Sequence, residues 1–426
     1  MSKRMYLTMW LNSSGFHEDS WNAGGGDRSR IFKLENYIRN AQIARRGCID
    51  SVFFADQAQL TADPKERAEY PIDPIVLATA ITTNVPDIGV IATSSTSFSL
   101  PYTLARQIAS ANMMSEGRVG WNAVTTINPV VAGNYGQIRA NHDERYARAE
   151  EFLKVVHALW RSWEFPWDHV SGPVENPYGK VSPLDFEGEY FKVAGALNVP
   201  LPPFGVPVVA QAGGSAQGKR LGAKYGEIIY AVFGSKAGGQ RYMQEVKAGA
   251  VAQGRNPSDI KIFPSFQPYV VSSQDEAKST RERLQSELDP SGEGMAKLAW
   301  QLGIDLEKTG LERPLREEDF AIRSDTVSAV GALNAYKDVA LDEGLGFRDL
   351  AMRLKVIIGT PDEIAERMID WWEAGAADGF TINPPVLPDA ATTFVDEVVP
   401  ILQERGVFPT EYTEPTLRSR LGFPQS

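Results

Sequence analysis

At 426 residues, with 43% hydrophobic, 23% charged and 10% aromatic side chains, the chain has the composition of a soluble globular protein, which excludes disordered, collagenous and fibrous classes. Its 43 basic and 54 acidic residues leave a net charge of −11, which argues against nucleic acid or an anionic membrane as the main partner. The single cysteine, Cys48, excludes an intrachain disulfide, a multi-cysteine metal site and an iron–sulfur cluster, and fits a reducing, cytoplasmic setting.

Short β-branched or aromatic runs alternate with longer amphipathic segments along nearly the whole chain. Met5 to Leu11 reads as a strand, and Leu34 to Arg46 as a helix whose apolar stripe is Leu34, Tyr37, Ile38, Ala41 and Ala44, stopped by Gly47. Ser51 to Ala55 is a buried strand ending at Asp56, and Asp73–Pro74 opens the next helix. Strand Ile88 to Ala92 runs into the hydroxyl-rich Thr93, Ser94, Ser95 and Thr96, and Pro101 opens a third helix. Strand Arg118 to Val124 is followed by a loop and a long helix from about Asp143 to Trp163. The proline- and aromatic-rich stretch from Trp163 to Pro203 breaks the rhythm and reads as an insertion with a short hairpin around Phe186 to Val193. Strands follow at Pro207 to Gln211, Glu227 to Phe233, Ile260 to Val271 and Gly379 to Asn383, each next to a helical segment. Asp289 to Arg348 is a second insertion, with helical patches and no clear strand, and the last few residues read as a loose tail.

Eight strands alternating with helices predict a single (β/α)8 TIM barrel spanning the chain, with insertions at about 163–203 and 289–348. An open dinucleotide-binding sheet fits less well, because the first strand is followed by NSSGFHEDSW and not by a glycine-rich turn. No apolar run approaches the ~18 residues of a membrane span, and the first residues lack a signal-peptide cleavage pattern.

Barrel chemistry gathers at the carboxyl ends of the strands. The polar residues there are Asn12 and His17, Asp56, Thr93 to Thr96, Asn122 to Thr126, Gln211 to Ser215, and Asn383. They provide hydrogen-bonding groups with one carboxylate and one imidazole; the paired acids of a glycosidase and the clustered ligands of a hydrolytic metal site are both missing. Such a rim suits a large planar polar cofactor with an anionic tail. The turn QAGGSAQG offers an anion site at a helix start, although a tight turn with Ser215 as helix cap explains it equally. In NHDERYARAEEF, Tyr146 is either a phosphate ligand or an ordinary helical residue, and His142 can simply satisfy the helix start. His157 reads as structural, Cys48 as buried packing, and His169 is undecided.

The segments SVFFAD, GVIATSST, SLPYTLARQIASANMMSEGRVGWNAVTT, NHDERYARAEEF, PVVAQAGGSAQG and GTPDEIAERMIDWWEAGAADGFTINPPVLPDA occur in order along nearly the entire chain. Together they resemble the bacterial-luciferase-like flavin monooxygenases, within them the nitrilotriacetate, EDTA, dibenzothiophene-sulfone, pristinamycin and long-chain-alkane monooxygenase family. The resemblance implies the oxygenase component of a two-component system that uses reduced FMN and O2 to place one oxygen atom on a small organic substrate. It further implies a transient NAD(P)H-dependent flavin reductase as partner and a homodimer or homotetramer. By the family pattern, Asp56, Thr93 and Ser94 lie near the flavin ring, Asn122 and Thr126 contact ring or ribityl chain, and Tyr146, Ser215 and the Gly214 amide hold the phosphate. His17, ahead of Trp21, is the catalytic candidate, its ordinary pKa near 6.5 suiting proton transfer. Trp10, Asn12 and Asn22 are the substrate-facing candidates; Asn22 stands where family members often carry Arg, and Thr103 where they often carry His. Two other readings stay open: a deazaflavin-dependent oxidoreductase on the same barrel, and a flavin-binding protein without turnover.

Overall fold

The computed structural model describes residues 4–17, 20, 28–60, 71–126, 128–137, 141–163, 181–287, 293–321, 330–353 and 357–424. Eight parallel strands close into a barrel: β1 (Tyr6–Trp10), β2 (Ser51–Phe54), β3 (Gly89–Ser95), β4 (Val119–Val124), β5 (Val209–Ala212), β6 (Ile228–Ala231), β7 (Lys261–Phe266) and β8 (Gly379–Ile382). Each strand pairs with its sequence neighbours, and β8 closes the ring on β1 through Tyr6↔Gly379 to Met9↔Ile382. The outer layer comprises α1 (Leu34–Arg46), α2 (Pro74–Asn84), α3 (Pro101–Met114), α4 (His142–Trp160), α5 (Ala216–Tyr225), α6 (Lys236–Ala252), α7 (Pro361–Glu373), and α8, which runs from Asp389–Thr393 through a π turn to Val399–Glu404.

Local chemistry sets the helix starts. The Asp73 carboxylate accepts from the amides of Ile75 and Val76 ahead of α2, and Thr360 with Glu363 forms a reciprocal cap on α7, each with proline in the first turn. The stripe of α1 is rotated from the predicted one: Leu34 is exposed, while Asn36, Asn40 and Ile43 join Tyr37, Ala41 and Ala44 in the interior.

Three further expectations are corrected. The predicted strand Ile260 to Val271 is two strands: β7 ends at Phe266, and Pro268–Val270 leaves the barrel to pair in parallel with Ile357–Gly359. Pro268 has no amide hydrogen with which to continue the barrel ladder. The departure from the barrel therefore begins at Pro268 and lasts to Gly359, beyond both ends of the expected 289–348. The loop after β4 contains a short helix, Pro129–Asn134. The loose tail starts no earlier than residue 424: Leu417, Leu421 and Phe423 are buried with Phe53, Ile91 and Phe263 in the bore, Arg418 pairs with Glu227 at 2.7 Å, and residues 425–426 lie outside the described residues. Cys48 is buried, as its reading requires. Among the described residues no helix is long and apolar enough to cross a membrane.

Candidate active site

Strand alternation decides which rim side chains face inward. On β3 and β4, Thr93 faces the bore opposite Asn122, whose amide donates to the Thr93 hydroxyl at 2.9 Å. Ser94 points the other way, its carbonyl accepting from the Trp121 indole at 3.1 Å and its hydroxyl standing 3.3 Å from that of Ser99. Ser95 returns to the inner face and shares a 2.6 Å hydrogen bond with the Thr126 hydroxyl. The loop beyond is tied to this pair, because the Ser97 amide donates to Ser95 Oγ and the Thr126 amide donates to Ser97 Oγ, both at 3.1 Å. Ser95 was named from sequence only as one of the rim hydroxyls and given no cofactor contact, because the run of four hydroxyl residues gave no phase.

A cavity of about 310 Å³ opens at the carboxyl ends of β2, β3 and β4, lined by Asp56, Thr93, Ser94, Ser95, Thr126 and Tyr135 among others, so that Ser94 reaches it from the outer face of β3. Phe98 and Tyr135 stack with centroids 4.9 Å apart, and the Pro129–Asn134 helix is fixed over the β2 loop by Asn128 to Gln59 (2.8 Å) and Asn134 to the Ala58 carbonyl (2.9 Å). Burial pushes the Asp56 carboxyl up to about 6, the nearby Asp73 charge adding to the shift and a hydrogen bond from the Gln57 backbone opposing it.

The adjacent strand carries a different element. After β5, Ser215 caps α5 by accepting from the Gly218 amide at 3.1 Å, and its hydroxyl donates to the Tyr146 hydroxyl from 3.4 Å. The glycines allow close approach: a Cβ on Gly218 would lie 3.0 Å from the Tyr146 oxygen, and one on Gly213 would lie 2.7 Å from Gly218 Cα. A helix start with two hydroxyls and no acidic residue in its first turn has the make-up of an anion cradle, the Asp143 carboxylate standing at its edge through a 3.1 Å bond from Gln217.

On the other flank, the loop after β1 is held by the loop after β8, the amides of Phe16 and His17 donating to the Pro384 and Pro385 carbonyls at 3.0 and 2.9 Å. His17 stands edge-on to Tyr269, centroids 6.3 Å apart. The Asn12 side chain turns into its own loop, accepting from the amides of Ser14 (3.1 Å) and Gly15 (2.6 Å). Trp10 packs on Phe16 and Phe53 at 4.6 and 5.1 Å. Asn22 and His169 lie outside the described residues. His157 is enclosed by Trp160 and Tyr225 and lowered to about 3 by burial, with Arg161, Arg255 and Arg418 adding to the shift, far from any role in proton transfer near neutrality.

The structure thus lines up His17, the Asp56 cavity and the Tyr146–Ser215 cradle along one arc of the rim, β1 to β5. Among the described residues, four buried polar atoms in the bore have no hydrogen-bond partner: the Asn122 and Asn383 amide oxygens, the Trp10 indole nitrogen and the Tyr230 hydroxyl. Buried groups of this kind call for a polar ligand or water. Among the described residues no three His, Cys, Asp or Glu side chains gather to hold a metal ion.

The description of luciferase-like monooxygenases matches residues 8–378 of this chain. The solved structure of EDTA monooxygenase from Chelativorans sp. BNC1 is 60% identical to it, covers 99% of both chains and superposes with a TM-score of 0.89. N-acetyl-S-(2-succino)cysteine monooxygenase of Bacillus subtilis (strain 168) is 36% identical over 99% of this chain and 97% of its own. Nitrilotriacetate monooxygenase component A of Aminobacter aminovorans is 35% identical over the same shares.

Proposed function

The chain belongs to the luciferase-like monooxygenase family, and from that premise we propose that it is the oxygenase component of a two-component monooxygenase, using O2 and reduced FMN delivered by a separate NAD(P)H-dependent reductase. The observation that carries this reading is the contiguous arc: a cavity on β2–β4 for a planar ring, with an anion cradle on the neighbouring β5 for its tail. The residues fit FMN. The unpartnered Asn122 amide oxygen, beside Thr93, suits a ring N–H group, and the Tyr146 and Ser215 hydroxyls at a helix start suit a phosphate.

Reduced flavin supplies the electrons that activate dioxygen. The protein's part is to bind, orient and shelter. Tyr146, Ser215 and the Gly214 amide hold the phosphate. Asn122, Thr93, Ser94 and the Ser95–Thr126 pair hold the ring and ribityl side. Asp56 carries a proton below about pH 6 and donates; above it, the ionised carboxylate faces an anionic cofactor. His17, at the β1 edge of the arc, holds the proton or the substrate group that must be placed over the ring, with Trp10 lining the substrate side. Asn12 serves by shaping the loop that carries His17.

The substrate class is an amine bearing carboxylate arms, on the strength of the likeness to EDTA and nitrilotriacetate monooxygenases. The chain works in the cytoplasm as a homo-oligomer.

Oxygen uptake with flavin reductase, NADH, FMN and a panel of aminocarboxylates, thioethers and alkanes tests this. Substrate-dependent uptake with aminocarboxylates is expected. Hydride transfer without oxygen would replace the reading with a deazaflavin oxidoreductase, and flavin binding without turnover would leave a carrier.

A further inference from the structure

The turn that carries Ser215 is held from behind by a residue with no place in the site described so far. Tyr242, buried on α6, donates its hydroxyl to the Gly213 carbonyl at 2.9 Å. The Gly213 carbonyl and the Gly214 amide belong to one planar trans peptide, so their C=O and N–H bonds point in opposite directions. Fixing the carbonyl on α6 therefore aims the Gly214 amide away from α6. Helix α5 packs between α6 and α4, so the far side is that of α4, where the Tyr146 hydroxyl meets Ser215.

We propose that Tyr242 is a positioning residue of the anion cradle: by holding the Gly213 carbonyl it presents the Gly214 amide hydrogen to the phosphate of a flavin mononucleotide. This inference rests on the reading of Tyr146 and Ser215 as phosphate ligands.

The surroundings leave this peptide little freedom. A Cβ at Gly213 would lie 2.7 Å from Gly218 Cα and 2.8 Å from Gln211 Nε2, and the Gln211 amide itself donates to the Ala212 carbonyl at 2.8 Å. Tyr242 is equally confined. Its ring lies 5.7 Å from that of Phe233, and the Lys219 ammonium sits 5.1 Å from its centroid while bonding Glu245 at 2.6 Å. Burial, with the Glu245 charge and Tyr146 adding, raises the Tyr242 phenol, so it keeps the proton that the bond to Gly213 uses. No contact of Tyr242 with the ligand is needed: the residue acts through the peptide.

The test separates the phosphate from the rest of the flavin by comparing FMN with riboflavin. In Tyr242→Phe the dissociation constant for FMN is expected to rise about tenfold, the scale of one hydrogen bond, while that for riboflavin stays within about twofold. Inorganic phosphate, which competes with FMN in the unaltered protein, is expected to compete more weakly in the variant. The proposal is overturned if FMN and riboflavin weaken alike, or neither weakens, while Ser215→Ala still separates them. If Ser215→Ala and Tyr146→Phe also fail to separate the two ligands, the phosphate is not held here, and the reading and the inference fall together. Should Tyr242→Phe not fold, the unaltered sequence labelled with 3-fluorotyrosine gives the same answer. Its Tyr242 fluorine resonance is expected to move with FMN and stay still with riboflavin; equal response to both refutes the proposal.

Discussion

Between Ser182 and Pro203 the chain has little regular structure, yet it is fastened to the barrel layer at many points. The Glu151 carboxylate on α4 accepts from three successive amides, those of Glu189, Tyr190 and Phe191, at 3.0, 2.9 and 2.8 Å. The Trp163 indole donates to the Leu197 carbonyl at 2.8 Å, and Phe191 and Leu197 are buried in one cluster with Leu104, Phe152 and Leu159 of α3 and α4. Between Pro268 and Gly359 the opposite holds. The helices Glu293–Leu302, Val330–Glu343 and Phe347–Arg353 are regular, but they bury Met295, Leu302, Leu315, Val339, Phe347 and Leu350 against one another in a cluster of their own. Among the described residues their ties to the barrel layer include the contact of Val339 with Gly234, the packing of Ala335 on the cluster of Phe233 and Tyr242, and polar bonds from Ser235 and Arg241 to Asp342 and Asp338, together with the ladder at the root. Regular structure and attachment are separate properties: the irregular insertion is packed into the barrel layer's own core, and the helical one carries a core of its own.

The strongest way to break this contrast is to unfasten the irregular insertion. Glu151→Ala removes a charged acceptor from three amides and is expected to cost about 2–3 kcal/mol in urea unfolding, with faster hydrogen exchange confined to residues 186–193. Unchanged exchange there would show that apolar packing alone holds the segment. A smaller effect is expected from crowding the helical unit. A Cβ at Gly234 would collide with Val339, so Gly234→Ala is expected to displace the unit and cost about 1–2 kcal/mol, with higher KM and little change in the exchange of the irregular insertion. The smallest comes from Arg241→Ala. Its partners Asp338 and Asp342 are half exposed, so a loss of about 0.5 kcal/mol or less is expected, vanishing at high salt. A larger, salt-independent loss would mean that the unit is clamped.

The same contrast marks what could be read from sequence. The barrel was legible because its strands announce themselves by local pattern, as at SVFFA, and its helices by Pro and Asp at their starts. The cap at Ser215 was legible because the glycines and serine of its turn adjoin in the chain. What escaped depends on residues far apart. Gln267 looks like the middle of a strand until Ile357, 90 positions later, donates to its carbonyl and diverts the chain. Leu417 and Leu421 look like tail residues until the bore supplies a cavity for them. Ser95 needed the phase of β3, which its neighbours Thr93 and Ser94 blur, and Tyr242 needed the packing of α6 on α5. The residue expected nearest the substrate, Asn22, lies outside the described part of the β1 loop.

The parallel pair Pro268–Val270 and Ile357–Gly359 has one more consequence. Because the outgoing and returning strands run side by side, the barrel register is indifferent to the length and content of what hangs between them. The barrel and the helical head are thereby mechanically uncoupled: the head can be exchanged or remodelled while the arc from His17 to Ser215 stays as it is.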